Sequence, residues 1–257
     1  SKIAFAMVSP DLPISNIYTM NQDGSGLAQL TDFSNGDSQH PAWSPDGTKI
    51  LFDHQTELTC CPPAKKLFVV NVDGTGMTEI PRDDPMRVED DAGWSPDGTK
   101  IVFAAHEQEY KESGIFVMDA AGGTAAKISE DPPGCGAAGE PSEPSWLDGI
   151  FGGRLEWSPD GARILFTRWY RSLGENGDVP CVPGTGEYVL LTMNPDGTDV
   201  TFIAGDPDGY ARKPSWSPDG SKILYEGPGA FHVINADGTG DVAIPVGSFG
   251  LNPDWGP

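Results

Sequence analysis

The sequence predicts an all-β fold, a five-bladed β-propeller of four-stranded antiparallel blades forming one domain over residues 1–257. Three observations carry this expectation. The segment Trp43-Ser44-Pro45-Asp46-Gly47-Thr48-Lys49-Ile50-Leu51-Phe52 recurs as Trp94 to Phe103, as Trp157 to Phe166 and as Trp216 to Tyr225. A second segment, Ile17-Tyr18-Thr19-Met20-Asn21-Gln22-Asp23-Gly24, returns at 67–74, 190–197 and 231–238, with a weaker copy at 115–122. The two chain ends are complementary. Asn252-Pro253-Asp254-Trp255-Gly256-Pro257 followed by Ser1-Lys2-Ile3-Ala4-Phe5 rebuilds one copy of the first segment almost completely.

Each repeat reads as four strands, A to D. Strand A ends in the tryptophan. Ser-Pro-Asp-Gly then suits a tight turn, because Pro presets φ, Asp bonds to the nearby backbone and Gly takes the positive-φ position. Strand B is Lys-Ile-x-Phe, whose period of two would place Ile and Phe on one face. Strand C is the apolar run before Asn, and the Asp-Gly after it is a strong hairpin signal. A short apolar strand D follows, for example Met77-Thr78-Glu79-Ile80 or Val242-Ala243-Ile244. Each strand type occurs five times. Strand A from the C-terminus is expected to pair with strands B to D from the N-terminus, which would remove exposed sheet edges. Glu143-Pro144-Ser145-Trp146-Leu147-Asp148-Gly149 is a decayed copy of the strand A region and is read as part of a long loop.

Composition narrows the function classes. The net charge of −22 argues against nucleic acid and anionic membrane surfaces, which both require basic patches. Part of the acidity is turn chemistry, with Asp23, Asp46, Asp73, Asp97, Asp160, Asp196, Asp219 and Asp237 all in repeat turns. No apolar run reaches the length of a transmembrane helix, and any leader peptide is expected to have been removed. Cys60, Cys61, Cys135 and Cys181 form an even set in a loop-rich acidic chain, which predicts disulfides and an extracytoplasmic setting: periplasmic, cell-surface or secreted. Their spacing fits no zinc pattern. A closed ring is expected to be monomeric.

The pattern Trp-Ser-Pro-Asp-Gly-x-(Lys/Arg)-Ile-x-Phe, combined with Met-Asn-x-Asp-Gly-(Ser/Thr), resembles the repeat of the TolB-like β-propeller family over almost the whole chain. His40-Pro41-Ala42-Trp43-Ser44-Pro45-Asp46-Gly47 carries the resemblance best. It implies a propeller of the bacterial envelope or exterior that binds proteins or ligands. The TolB pattern of an α/β domain followed by six blades is not followed here. This chain shows five repeats, cysteines and longer loops, so a TolB-type partner does not carry over.

The repeat also orients the search for a site. The A–B and C–D turns fall at one end of each blade and the B–C and D–A connections at the other. The second end carries the long segments 6–16, 53–66, 81–91, 104–114, 129–154 and 167–187, together with all four cysteines. Long loops on a rigid scaffold are where function concentrates. The favoured cysteine pairing is Cys135–Cys181, leaving Cys60–Cys61 as a vicinal bridge.

Residues three before each tryptophan should ring a central channel mouth. They are His40, Asp91, Arg154, Lys213 (beside Arg212) and Asn252, a varied polar set suited to an anionic or mixed polar ligand. Trp169 and Tyr170 open a long loop and could stack on sugars or anchor a protein interface. No cofactor is expected. A calcium ion bridging Glu89, Asp90 and Asp91 is the one metal reading left open.

The expectation is a non-catalytic binding module for a protein or polysaccharide partner. The alternative is a carbohydrate-active hydrolase or lyase using channel-mouth carboxylates such as Asp91 and Glu156; His54 and His106, which follow strand B near Asp53 and Glu107, are further candidates.

Overall fold

The computed structural model describes residues 2–8, 14–55, 65–83, 87–88, 92–106, 113–129, 155–171, 186–205, 211–227 and 229–245. The architecture is that of the predicted five-bladed β-propeller: five antiparallel blade sheets, with no helix among the described residues. The chain divides into two units, Ser1–Ala126 and Lys127–Pro257.

The first unit opens with β1 (Lys2–Val8), β2 (Ser15–Asn21) and β3 (Ala28–Gln29), a three-stranded sheet supplying strands B, C and D. The expected pairing of β1 with the C-terminal strand A lies outside the described residues. The next blade is β4 (Ser38–Trp43), β5 (Lys49–Gln55), β6 (Lys65–Asn71) and β7 (Thr78–Glu79). Then comes β8 (Arg87–Val88), followed by the third blade: β9 (Gly93–Trp94), β10 (Lys100–His106), β11 (Ser113–Asp119) and β12 (Ala126–Lys127). The D–A connection that the sequence presented as loop thus contains a strand. Val88 pairs with both Lys65 and Ala105, so β8 joins two blades into one nine-stranded sheet. Arg87 and Val88 carry no repeat signature, which is why sequence periodicity passes over them.

The second unit holds β13 (Glu156–Trp157), β14 (Ile164–Arg171), β15 (Gly186–Met193) and β16 (Thr201–Gly205). Its last blade is β17 (Arg212–Trp216), β18 (Lys222–Gly227), β19 (Ala230–Asn235) and β20 (Val242–Pro245). Each of these two blades is a four-stranded antiparallel meander in chain order. The decayed repeat at 143–149 lies outside the described residues.

Ile50 and Phe52 share one face of strand B as expected, and burial shows the opposite face to be apolar as well. Ile50 and Phe52 are fully buried, but so is Leu51 between them, and Ile101-Val102-Phe103 repeats this. An inner blade is covered on both faces by its neighbours, so its strand B is apolar throughout rather than alternating. Ile17, Leu30, Ile50, Phe52 and Val70 form one inter-blade core. Leu51, Leu67, Ile101, Phe103 and Phe116 form the next. In the second unit, Leu165, Leu190, Ile203, Trp216, Ile223 and Tyr225 do the same. Each such side chain contributes about 1.5–3 kcal/mol by leaving water.

The A–B turn explains its own sequence. The Ser44 hydroxyl donates to Asp46 Oδ1 at 2.7 Å and accepts the Lys49 N–H at 2.9 Å. Asp46 Oδ1 also accepts the Thr48 N–H at 3.0 Å. Gly47 takes φ +68° and donates its N–H to the Ser44 carbonyl. The same closed set recurs around Asp97, Asp160 and Asp219. These bonds hold the Asp46, Asp97 and Asp219 carboxyls down to about 2, the hydroxyl of the preceding serine contributing most.

Candidate functional site

The loop-bearing end of each blade is built from the start of strand A, the end of strand B and the start of strand C. In two blades strand A runs through His-Pro-Ala-Trp and Lys-Pro-Ser-Trp, and both contain a β-bulge. The pairing of β4 with β5 shifts between Gln39 and Ala42, and that of β17 with β18 shifts between Arg212 and Ser215. At each bulge the residue before proline enters the left-handed region, His40 at φ +50° and Lys213 at +49°. Asp199 at +53° is the other non-glycine residue there among those described. The residue before proline normally prefers extended backbone, and a left-handed non-glycine residue costs on the order of 1–3 kcal/mol.

Each of the two residues before proline faces a carboxylate from the fifth position of strand B. His40 Nδ1 lies 2.6 Å from Asp53 Oδ1, and Lys65 Nζ lies 3.5 Å from Asp53 Oδ2. The Asp53 side chain is only 2% exposed, against 32% for His40. Burial by itself would push the Asp53 carboxyl up. The His40 hydrogen bond, the His40 charge and Lys65 outweigh it, so Asp53 stays below the usual carboxylate range. In the equivalent place of the fifth blade, Lys213 Nζ lies 3.8 Å from Glu226 Oε2, both side chains partly exposed. Next to it the Arg212 guanidinium sits 4.0 Å above the Tyr188 ring centre. Tyr188 is the cross-strand partner of Trp169 in the β14–β15 pairing.

The sequence-derived candidates divide accordingly. His40, Arg212 and Lys213 fall on the loop-bearing ends of their blades. Trp169 and Tyr170 lie in strand β14 itself, which extends to Arg171, rather than in the loop; their side chains lie outside the described set. Asp91, Arg154, Asn252, the calcium candidates Glu89 and Asp90, and Cys60, Cys61, Cys135 and Cys181 also lie outside the described residues. Among the described residues no cluster of three or more His, Cys, Asp or Glu could hold a metal ion.

Two catalytic candidates have structural partners. Glu156 Oε2 accepts the Trp216 N–H at 3.3 Å, bridging neighbouring blades. His54 points away from Asp53: it is 2% exposed, its Nδ1 lies 3.0 Å from the Ser38 hydroxyl, and its ring stacks 3.7 Å from Phe33. Burial pushes this imidazole below its ordinary value, against the opposing charges of Asp53 and Asp37. His232, expected to be an interblade residue rather than a ligand, stacks on Tyr225 and bonds Asp241 at 2.9 Å.

Glu226, Lys65 and Tyr188 were not singled out by sequence, and Asp53 stood out only as a neighbour of His54, although one signal was available. Strand B ends in an acid only in the two described blades whose strand A carries a cation before proline. The corresponding positions elsewhere are Ala6, Ala104 and Thr167.

At the turn-bearing end of the second unit, a cavity of about 360 Å³ is lined by Arg163, Thr192, Thr201, Trp216 and Asp219. The Arg163 guanidinium spends its donors there on Asn194, Asp199, Thr192 and Thr201. That network staples β14 to β15 and β16 and makes the cavity a structural seam.

No protein-family model matches the chain, and no curated protein matches it. Solved structures do. TolB from Acinetobacter baumannii superposes with a TM-score of 0.64 at 18% identity, covering 95% of this chain and 51% of that one. This chain therefore spans about half the length of that relative. A chain of the nidogen/laminin complex also gives a TM-score of 0.64, at 12% identity over 96% of this chain and 79% of that one. Oligogalacturonate lyase from Vibrio parahaemolyticus gives 0.53 at 13% identity, over 97% of this chain and 75% of that one. At these identities the likeness establishes a fold shared with TolB-like and other propellers, and fold does not fix function.

Proposed function

We propose that the chain is a non-catalytic, extracytoplasmic binding module whose loop-bearing blade ends engage a protein or polysaccharide partner. The observation that carries this reading is the matched pair of strained basic residues. His40 and Lys213 are held left-handed at equivalent bulges, and each faces a carboxylate. A folded protein keeps such strain where it presents a side chain for use. The TolB and nidogen/laminin neighbours support partner binding, and the four cysteines support the extracytoplasmic placement. The second reading, a carbohydrate-active hydrolase or lyase, is favoured by the oligogalacturonate lyase neighbour. It is weakened by Glu156, whose carboxylate serves the Trp216 backbone.

The test is a pull-down from envelope and secreted fractions with the wild type beside a His40→Gly/Lys213→Gly double variant. A partner retained by the wild type and lost by the variant supports the binding module. Equal retention by both moves the site away from the bulges. Polysaccharide cleavage by the wild type, abolished in Asp91→Asn, would replace this reading with the enzymatic one.

A further inference from the structure

The outer strands of the blades are not alike. A strand at a sheet edge presents unpaired N–H and C=O groups, and folded proteins keep such edges short, charged or closed by proline. The first two blades obey this rule. Their outer strands β3 and β7 span two residues each, and each carries a polar residue opposite an aromatic of strand C: Gln29 faces Tyr18 and Glu79 faces Phe68. In the fourth blade β16 spans five residues, and Phe202 stands opposite Leu191 at the position of Gln29 and Glu79. Val200 and Phe202 are 57% and 55% exposed. Leu27 and Met77 are exposed at the Val200 position, but each is followed two residues on by Gln29 or Glu79. From Val200 to Gly205 no charged residue or proline interrupts the run. β20 is nearly as long, but it ends in Pro245, which has no N–H, and it has Ala243 at the Phe202 position.

The start of β16 is also held rigid. Asp199, at the turn into the strand, takes φ +53° where the matching turns have Gly26, Gly76 and Gly240. Arg163 holds it there, donating to Asp199 Oδ2 at 2.6 Å and to the Asp199 carbonyl at 2.8 Å. The same guanidinium reaches the Thr201 hydroxyl at 3.0 Å. A strand fixed before it meets a partner loses little freedom on pairing. Among the described residues no strand pairs with the outer edge of β16.

We propose that the outer edge of β16 is a docking strand for an extended segment of a partner protein that alternates apolar and basic residues. The segment adds to the blade as a further strand. Ladder bonds to Thr201–Gly205 supply affinity, and its apolar side chains lie against Val200 and Phe202. Charge decides the occupant. The chain carries −22, and Asp196 before β16 and Asp206 and Asp208 after it bracket the edge in sequence. Basic residues at alternate positions of the segment are drawn to that field, whereas a second copy of this chain brings another −22 against it. The proposal stands apart from the loop-bearing ends.

The experiment titrates the full chain into a fluorescein-labelled peptide, Lys-Val-Lys-Val-Lys-Val-Lys, read by anisotropy, with amide hydrogen exchange locating the contact. Saturable binding and slowed exchange over Thr201–Gly205 are expected. Phe202→Gln, which gives β16 the residue that β3 has there, should weaken binding about ten-fold while Tm holds, because the side chain is exposed. Val200→Gln is the second variant, with the same expectation. Two comparator peptides separate the causes. Glu in place of Lys keeps the strand and reverses the charge; methylation of the backbone nitrogens keeps the charge and removes the ladder donors. Each should bind about ten-fold more weakly or worse. Peptide binding should survive in the His40→Gly/Lys213→Gly variant.

The proposal is overturned by any of five results: no saturable binding, equal binding of either comparator peptide, equal binding by both β16 variants, slowed exchange only outside β16, or loss of binding in the His40→Gly/Lys213→Gly variant. A concentration-dependent dimer that slows exchange in β16 would assign the edge to a second copy and overturn it as well.

Discussion

Gly197→Ala tests how neighbouring blades seat on one another. Gly197 closes the turn between β15 and β16 at φ +84°. A Cβ there would stand 1.6 Å from the Ile128 carbonyl oxygen and 2.6 Å from its carbon. The obstacle is backbone, so no side-chain rotation relieves it. The left-handed conformation costs alanine about 1–2 kcal/mol. Forcing the two backbone segments apart adds about 1–3 kcal/mol by the usual cost of overpacking.

Gly24→Ala is the matched control. It occupies the same turn position at φ +82° with nothing within 4 Å of the added carbon. The control should lose only the conformational part. Urea denaturation followed by tryptophan fluorescence reads the difference, about 1–3 kcal/mol. With an m-value of about 2–3 kcal/mol/M, the Gly197→Ala midpoint should fall below the control by about 0.3–1.5 M. Equal midpoints would refute the idea that the glycine is there to let blades touch. A larger loss in Gly24→Ala would do so as well.

Three further outcomes are expected. The turn carboxyls of Asp46, Asp97 and Asp219 sit at about 2 in the folded chain against 3.8 when free, so their ionised form favours folding. That contribution is complete above pH 4 and is lost as pH falls from 4 to 2; a Tm that stays flat from pH 5 to pH 2 would contradict it. His54, pushed down from 6.5 by burial, is harder to protonate in the fold than in the unfolded chain, so its contribution is present above pH 6.5 and declines below it. His54→Phe should flatten the Tm profile between pH 6.5 and pH 5, and an unchanged slope would show that another group titrates there. Arg163→Lys should cost about 1–3 kcal/mol in chemical denaturation, because a single ammonium cannot replace the fork that bonds Asn194, Asp199, Thr192 and Thr201 at once. A loss under 0.5 kcal/mol would mean that the network is redundant.

The repeat was legible because its devices are local. Ser44, Asp46, Gly47 and Lys49 hydrogen-bond within six residues, so residue identity and spacing alone specify the turn, and the four strands follow from it. The same locality made His40, Arg212 and Lys213 visible as residues at a fixed offset from tryptophan. Their partners were not visible in this way. Asp53 meets His40 rather than His54 because the bulge shifts the register after Gln39 and swings His40 onto the next strand. Glu156, read as a free carboxylate, meets the Trp216 amide of the following blade, sixty residues along the chain. β8 exists only because Val88 finds both Lys65 and Ala105. By itself the sequence determined the turns, the strand order and the blade count. Only the tertiary structure decided which strained basic residue faces which carboxylate, because such pairings arise between strands whose register is set by packing.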